Sequence, residues 1–140
     1  MNHALRTACI TLVLLAASCR SSPSPIGAKP QATVTHVVLC WLKTPGNEAA
    51  REAIIETSRT FATIPGVVSV TAGRALPSTR PVVDSSFDVA IVIGFIDEAA
   101  LRAYDSHPTH QRAVQDVLKR LSEKSLIYDF VDEGKGMPAR

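Results

Sequence analysis

The chain has 140 residues, of which 46% are hydrophobic and 20% are charged, as expected for a folded protein with one domain-sized core. Its 15 basic and 13 acidic side chains give a formal net charge of +2, and these charges are scattered along the sequence. No basic stripe is interleaved with aromatic residues, so we expect no nucleic-acid partner.

The N-terminal residues have the features of a signal peptide. Arg6 supplies a weak positive start, and residues 8–17 form an apolar run that is too short to cross a bilayer as a helix. The run leads into Leu15-Ala16-Ala17-Ser18-Cys19, which resembles a bacterial lipobox. That resemblance implies a signal peptide at residues 1–18 and acylation of Cys19, which would attach the protein to a membrane.

The lipobox resemblance also implies a location. Arg20 follows the cysteine, and the usual sorting pattern then favours the periplasmic side of the outer membrane, within a bacterial cell envelope. Plain secretion, which would give a soluble periplasmic or secreted protein, and an uncleaved anchor are the alternatives.

The predicted folded domain covers residues 33–131. Residues 19–32 are rich in Ser, Pro and Ala and predict a disordered tether, while residues 132–140 predict a disordered tail. Cys9 would leave with the signal peptide and Cys19 would carry lipid. Only Cys40 remains in the domain, so no disulfide framework is expected there.

The first half of the domain predicts strand, helix and strand. Residues 34–43 are rich in β-branched residues, and their side chains alternate between two faces, which indicates a strand. Asn47 predicts a helix start, and Pro65-Gly66 ends that helix. Residues 67–76 predict a second strand, which is followed by a loop at residues 77–86.

The second half of the domain also predicts strand, helix and strand. Residues 87–95 predict a strand, and Asp97 predicts the cap of a helix that breaks at His107-Pro108. A further helix follows, and residues 126–131 predict the last strand. The whole order is βαββαβ, which favours an α+β ferredoxin-like fold: a four-stranded antiparallel sheet with helices on one face.

The first and third predicted strands are apolar on both faces. Val37, Leu39 and Trp41 share one face of the first strand, and Ala90 and Val92 share one face of the third. Helices can cover only one side of the sheet, and monomers rarely leave such a patch in water. We therefore predict a homodimer that packs through the helix-free sheet face.

Three residues are candidates for proton chemistry: His36, Tyr104 and His110. The predicted fold brings them toward one end of the space between sheet and helices, where they could move protons on a bound molecule. Apolar residues that share their faces are predicted to contact the ligand: Val38, Cys40, Leu101 and Val114.

Each candidate also has a structural interpretation. His110 could bridge the kink between two helices, His36 could be hydrogen-bonded within its strand, and Tyr104 could be a core ring. Cys40 is interpreted as a small buried hydrophobe. A metal shared by His107 and His110 lacks a third ligand, so we expect no metal and no cofactor.

The sequence resembles the stress-responsive A/B barrel domain family over residues 33–131. The resemblance is carried by residues 36–39, 64–67 and 87–88, by Tyr104-Asp105-Ser106-His107-Pro108-Thr109-His110, and by Asp129-Phe130. The family implies a ferredoxin-like subunit and a dimeric α+β barrel. Its plant polyketide cyclase branch implies His110 as general base, Tyr104 as hydrogen-bond donor and His36 as the first-strand histidine.

Three functional hypotheses follow. The first is a dimeric barrel protein at the cell envelope that binds a small hydrophobic or carbonyl-containing molecule. The second is a cofactor-free, cyclase-like lyase in which His110 takes a proton next to a carbonyl. The third is a structural dimerisation domain. A pocket lined by His36, Tyr104 and His110, with the loop at residues 77–86 at its mouth, would favour the first two.

Overall fold

The computed structural model describes residues 31–133. The predicted signal peptide at residues 1–18, Cys19 and the tether as far as residue 30 lie outside the described residues, as do residues 134–140 of the predicted tail. Between residues 31 and 133, no helix is both long enough and apolar enough to cross a membrane.

The described elements follow the predicted order. They are β1 (Val34–Leu42), α1 (Glu48–Arg59), a 3₁₀ turn (Thr60–Thr63), β2 (Val67–Arg74), β3 (Val89–Phe95), α2 (Glu98–Ser106), α3 (Pro108–Ala113), a π-helical segment (Val114–Leu118), α4 (Lys119–Leu121) and β4 (Ser122–Val131). The sheet has the order β2-β3-β1-β4, and all neighbouring strands are antiparallel. This confirms the predicted ferredoxin-like α+β fold.

The helix boundaries have the caps that the sequence predicts. The side chains of Asn47 and Asp97 each accept a hydrogen bond from the backbone N–H three residues further on, at 3.0 and 2.8 Å. His107 ends α2 and caps α3, where its Nδ1 accepts from the Thr109 N–H, and Pro108 is the first residue of α3. These caps satisfy backbone donors that a helix start leaves without partners.

The strand ends differ from the prediction in two places. β4 begins at Ser122 rather than at residue 126, because the polar stretch before Leu126 pairs with β1 at the edge of the sheet, where polar side chains can face water. β3 begins two residues late. The Asp88 carboxylate accepts hydrogen bonds from the Leu42 and Gly46 N–H groups, both at 2.9 Å, and so fixes the turn after β1.

The two faces of the sheet differ in burial. The inward side chains of β1 and β3 form the core beneath the helices, and every inward residue of β3 is at most 1% exposed. On the other face, Val37 pairs with Val92 and with Tyr128. We call this helix-free surface the outer face; it comprises Val37, Leu39, Trp41, Val92, Tyr128 and Phe130. Tyr128 and Phe130 are each 54% exposed.

The helices do not cover the sheet evenly. α1 and α2 pack mainly over β2 and β3, and in β4 only Ser122 is buried. Ile127 points to the helix side, in register with Val38, and is nevertheless exposed. The layer between helices and sheet is therefore incomplete above β1 and β4.

Candidate functional site

A pocket of about 480 Å³ occupies this incomplete layer. Its floor comes from β1, β3 and β4, and one wall comes from α3 and the π-helical segment. The apolar lining consists of Val38, Phe61, Ile91, Ile93, Val114, Leu118 and Ile127. Polar groups enter this apolar space from His36, Tyr104 and His110, so the structure brings the three predicted residues together.

His36 is buried on β1 and is held by a carboxylate from the neighbouring strand. Its Nδ1 lies 2.6 Å from Oδ1 of Asp129, the residue directly opposite in the β1–β4 register. Since an ionised carboxylate can only accept, Nδ1 carries the hydrogen of this bond. The ring orientation is thereby fixed, and Nε2 is the nitrogen left for another partner.

Tyr104 is at the centre of an aromatic cluster. Its ring lies 5.1 Å from Phe95, 5.5 Å from Phe61 and 5.9 Å from His36, all edge-to-face, an arrangement that favours aromatic packing. Burial raises the pKa of the phenol, and the nearby Asp105 charge adds to this. Among the described residues the Tyr104 hydroxyl has no hydrogen-bond partner, so it is a protonated donor available to the pocket.

His110 stacks on Tyr104, with ring centroids 4.1 Å apart. Its Nδ1 lies 3.2 Å from the backbone carbonyl of Asp105, which can only accept, so the hydrogen is on Nδ1 and the Nε2 lone pair is free. Burial lowers the pKa of His110, while the Asp105 carbonyl and carboxylate oppose that shift. At neutral pH the ring is therefore an uncharged base.

The bond from His110 to Asp105 crosses the break between α2 and α3. The side chain of Gln111 donates to the same carbonyl, so this carbonyl, left free by the break at Pro108, is satisfied by two side chains. The kink-bridging interpretation and the base interpretation of His110 are thus compatible, because they use different nitrogens.

The four predicted ligand contacts divide into two pairs. Val38 and Val114 line the pocket, whereas Cys40 and Leu101 are not among its lining residues. Cys40 is fully buried, with its thiol 3.7 Å from the Ser125 hydroxyl, and burial raises the pKa of that thiol. Leu101 is partly buried and packs against the core.

The loop at residues 77–86 does not form the mouth of the pocket, and that expectation is wrong. None of its residues is among those lining the cavity. Ser86, at its end, accepts a hydrogen bond from the Trp41 indole at 3.2 Å, which places this end of the loop beside the outer face. The lining instead includes the exposed charged residues Lys119, Glu123 and Lys124.

Asp129 is a site residue for which the sequence pattern predicted no role. The alternation of side chains along β1 places His36 on the inward face. An antiparallel neighbouring strand must therefore place some residue opposite His36. Choosing Asp129 required the β1–β4 register. Across residues 31–133, no group of three or more His, Cys, Asp or Glu side chains is placed to hold a metal ion.

Comparison with solved structures gives the same fold. A dabb family protein with a ferredoxin-like fold from Mesorhizobium loti is 26% identical, and the match covers 74% of this chain and 100% of that one, with a TM-score of 0.60. A dimeric ferredoxin-like protein of unknown function from Bacteroides fragilis is 20% identical over 73% and 98% of the two chains, with a TM-score of 0.60.

A third similar structure is the hydroxynitrile lyase from Passiflora edulis. It is 17% identical, with 78% of this chain and 100% of that chain covered and a TM-score of 0.63. At this identity the likeness concerns the fold. No curated protein matches the chain.

The family model described as the stress responsive A/B barrel domain matches residues 34–132. That range includes all four described strands, and the residues that carried the resemblance in sequence lie within it. The chain therefore belongs to the stress-responsive A/B barrel domain family.

Proposed function

We propose that this protein binds a small, largely apolar molecule with a carbonyl group in the pocket between β1, β4 and α3. The observation that carries the proposal is the convergence of His36, Tyr104 and His110 on a cavity whose other walls are mostly apolar. Binding sites for small molecules typically combine apolar walls with a few fixed polar groups. A purely structural dimerisation domain has no need of such a cavity.

The hydrogen-bonding capacity of the site indicates the chemistry of the ligand. The Tyr104 hydroxyl is a free donor, which a carbonyl oxygen can accept. The Nε2 of His110 is a free acceptor, which suits a hydroxyl or an acidic C–H next to that carbonyl. A molecule that supplies an acceptor and a donor a few ångströms apart satisfies both groups.

Native mass spectrometry of the purified protein would test binding. We expect a small molecule to co-purify and to be depleted in Tyr104→Phe, which removes one oxygen while keeping the ring in its cluster. Thr79→Val, which removes a hydroxyl in the exposed loop away from the pocket, is the control and should retain the molecule. Equal retention by Tyr104→Phe and the unchanged protein would contradict the proposed site.

A second candidate function is proton transfer without a cofactor, favoured by the tautomer of His110. With Nδ1–H bound to the Asp105 carbonyl, Nε2 can take a proton from the carbon beside the ligand carbonyl. The C–H electron pair then forms the enolate, and the Tyr104 hydroxyl stabilises its oxygen. The hydroxynitrile lyase shares only the fold with this chain, so the proposed proton transfer is supported by the geometry of the site and not by that likeness.

Hydrogen–deuterium exchange at the α-carbon of the bound molecule would test this step. A positioned general base contributes roughly 10²–10⁴-fold, so His110→Gln should slow exchange by about that factor. Asp116 is an exposed carboxylate outside the pocket lining. Asp116→Asn is therefore the matched control and should leave the exchange rate unchanged. An unchanged exchange rate in His110→Gln would reject His110 as the base.

We further propose that the outer face is covered by a second copy of the chain. Tyr128 and Phe130 are half exposed on this face beside Val92, and burying such a patch against its twin removes apolar surface from water. The similar Bacteroides fragilis protein is described as dimeric. Sedimentation analysis should give a dimer that Tyr128→Glu converts to a monomer. Leu76 is also an exposed apolar residue but lies in the loop after β2, so the Leu76→Glu protein should remain dimeric.

Attachment to the bacterial cell envelope is proposed from the lipobox-like sequence that ends at Cys19. We expect the protein on the periplasmic side of the outer membrane, held by acyl chains on that cysteine. Membrane fractionation should show release of Cys19→Ser into the soluble fraction. A Cys9→Ser protein that stays in the membrane is the control, and a membrane-bound Cys19→Ser protein would refute lipid anchoring.

A further inference from the structure

The pocket extends well beyond the histidines. His36 pairs with Asp129, and Leu42, at the other end of β1, pairs with Ser122. Both His36 and Ser122 line the cavity, and they are separated by six positions along the strand. At about 3.3 Å per residue, the two ends of the pocket are roughly 20 Å apart.

The walls between these ends are apolar. Val38 and Ile127 face each other across β1 and β4, and Val114 and Leu118 approach from the π-helical segment. In this segment the backbone bond runs from the Lys119 N–H to the Val114 carbonyl, five residues apart, and such π-helical turns frequently occur at functional sites. This middle section fits an alkyl chain.

The far end is polar and has unused hydrogen-bond donors. The Ser122 hydroxyl is buried beside the Cys40 thiol, which is at most a weak hydrogen-bond partner, and it makes no conventional hydrogen bond among the described residues. An unsatisfied buried hydroxyl is unfavourable, and rotation about one staggered torsion would turn it toward the pocket. A ligand acceptor placed here would satisfy it.

The same end has excess positive charge. The Lys119 ammonium contacts only the neutral Gln115 amide oxygen, at 3.3 Å, and no ion pair of Lys119 or Lys43 is found in residues 31–133. The Lys43 ammonium donates to the Lys119 carbonyl at 3.0 Å, so a second cation lies beside this end of the pocket, whose lining includes Lys119 and Glu123. Lys124 is engaged elsewhere, with its ammonium over the Trp41 ring at 4.4 Å.

We infer that the far end of the pocket is a carboxylate subsite formed by Lys119 and Ser122. The ligand class is then an elongated amphipathic acid: its carboxylate binds at Lys119 and Ser122, its alkyl body lies along Val38 and Ile127, and its other end reaches the histidines. This inference rests on the proposed binding function and adds the head group and its position.

Calorimetric titration with sodium decanoate and decan-1-ol would test the subsite in the purified protein. The two probes share a chain length and differ in charge. Decanoate should bind about tenfold more tightly than decanol, because the ammonium and the hydroxyl both donate to the carboxylate. Lys119→Met and Ser122→Ala should each reduce or abolish that preference while leaving decanol affinity unchanged.

Two controls keep the result interpretable. Arg120→Met removes a neighbouring exposed cation that does not line the pocket and should retain the preference for decanoate. Lys119→Glu, an exposed position where folding is not at risk, should reverse the preference. Equal binding of decanoate and decanol to the unchanged protein would overturn the carboxylate subsite alone. Binding of neither probe would overturn it together with the proposed apolar pocket.

Discussion

The hydrogen bond between His36 and Asp129 sets the orientation of a pocket histidine, and Asp129→Ala removes it. A hydrogen bond to a charged group contributes roughly 1.5–3 kcal/mol net. The Asp129 side chain is 48% exposed while that of His36 is 7% exposed, so solvent screening reduces the value. We expect Asp129→Ala to lower the free energy of unfolding by about 1–1.5 kcal/mol.

Thermal denaturation is a suitable assay. For a folded domain of this size, about 1 kcal/mol shifts the melting temperature by roughly 4–8 °C. Asp129→Asn should recover part of the loss, because an amide oxygen still accepts from Nδ1. Asp116→Ala, at an exposed carboxylate with no ion-pair partner in the described part of the chain, is the control and should melt like the unchanged protein.

A double-mutant cycle separates this bond from other effects of each substitution. Combining Asp129→Ala with His36→Gln should give a coupling free energy of about 1 kcal/mol between the two positions. A coupling below about 0.3 kcal/mol, within the usual additivity of independent sites, would show that the carboxylate does not hold the ring. His36 would then have no fixed orientation in the pocket.

Three further predictions concern stability. Gly66→Ala should cost about 2–4 kcal/mol in chemical denaturation, because φ is +85° and the added Cβ would lie 2.5 Å from that of Ala100. Ser122→Ala should raise the free energy of unfolding by up to about 1 kcal/mol, since it removes a buried hydroxyl that makes no conventional hydrogen bond within residues 31–133; a lower melting temperature would contradict this. Burial lowers the folded-state pKa of His110 from its ordinary 6.5, so the stability that the neutral ring contributes is fully present above about pH 6.5 and is lost as pH falls through the folded pKa. His110→Gln should flatten the pH dependence of urea denaturation in that range, and an identical slope would count against the buried neutral ring.

The fold could be predicted because local signals and topology agree. The helix boundaries are marked by Asn47, Asp97 and His107-Pro108. These residues cap or end helices through contacts with backbone groups no more than three residues away. The two strands with apolar residues on both faces, β1 and β3, are the inner strands of the sheet. Each of these features depends on near neighbours in sequence, which makes it visible without coordinates.

The features that could not be predicted depend on the register between strands or on which parts of the sheet the helices and loops cover. Asp129 is opposite His36 because of the β1–β4 register, which the predicted strand at residues 126–131 did not specify. Cys40 shares a face with His36, yet its side chain is fully buried beside Ser125 and is not among the residues that line the cavity. The loop at residues 77–86 passes to the other side of the sheet through Ser86, a placement with no short-range signal.

The position of the pocket follows from a mismatch between sheet and helices. α1 and α2 pack mainly over β2 and β3, so the inward face of β4 is poorly covered, and Ile127 stays exposed although it points inward. An elongated cavity above the β1–β4 pair is the consequence, and the break at Pro108 tilts His110 into its wall. Because β4 is also an edge strand whose Tyr128 and Phe130 face the other way, a partner packed on the outer face would hold this strand in place from below. Pocket shape and subunit association should therefore be coupled, and Tyr128→Glu should weaken decanoate binding although Tyr128 does not line the cavity.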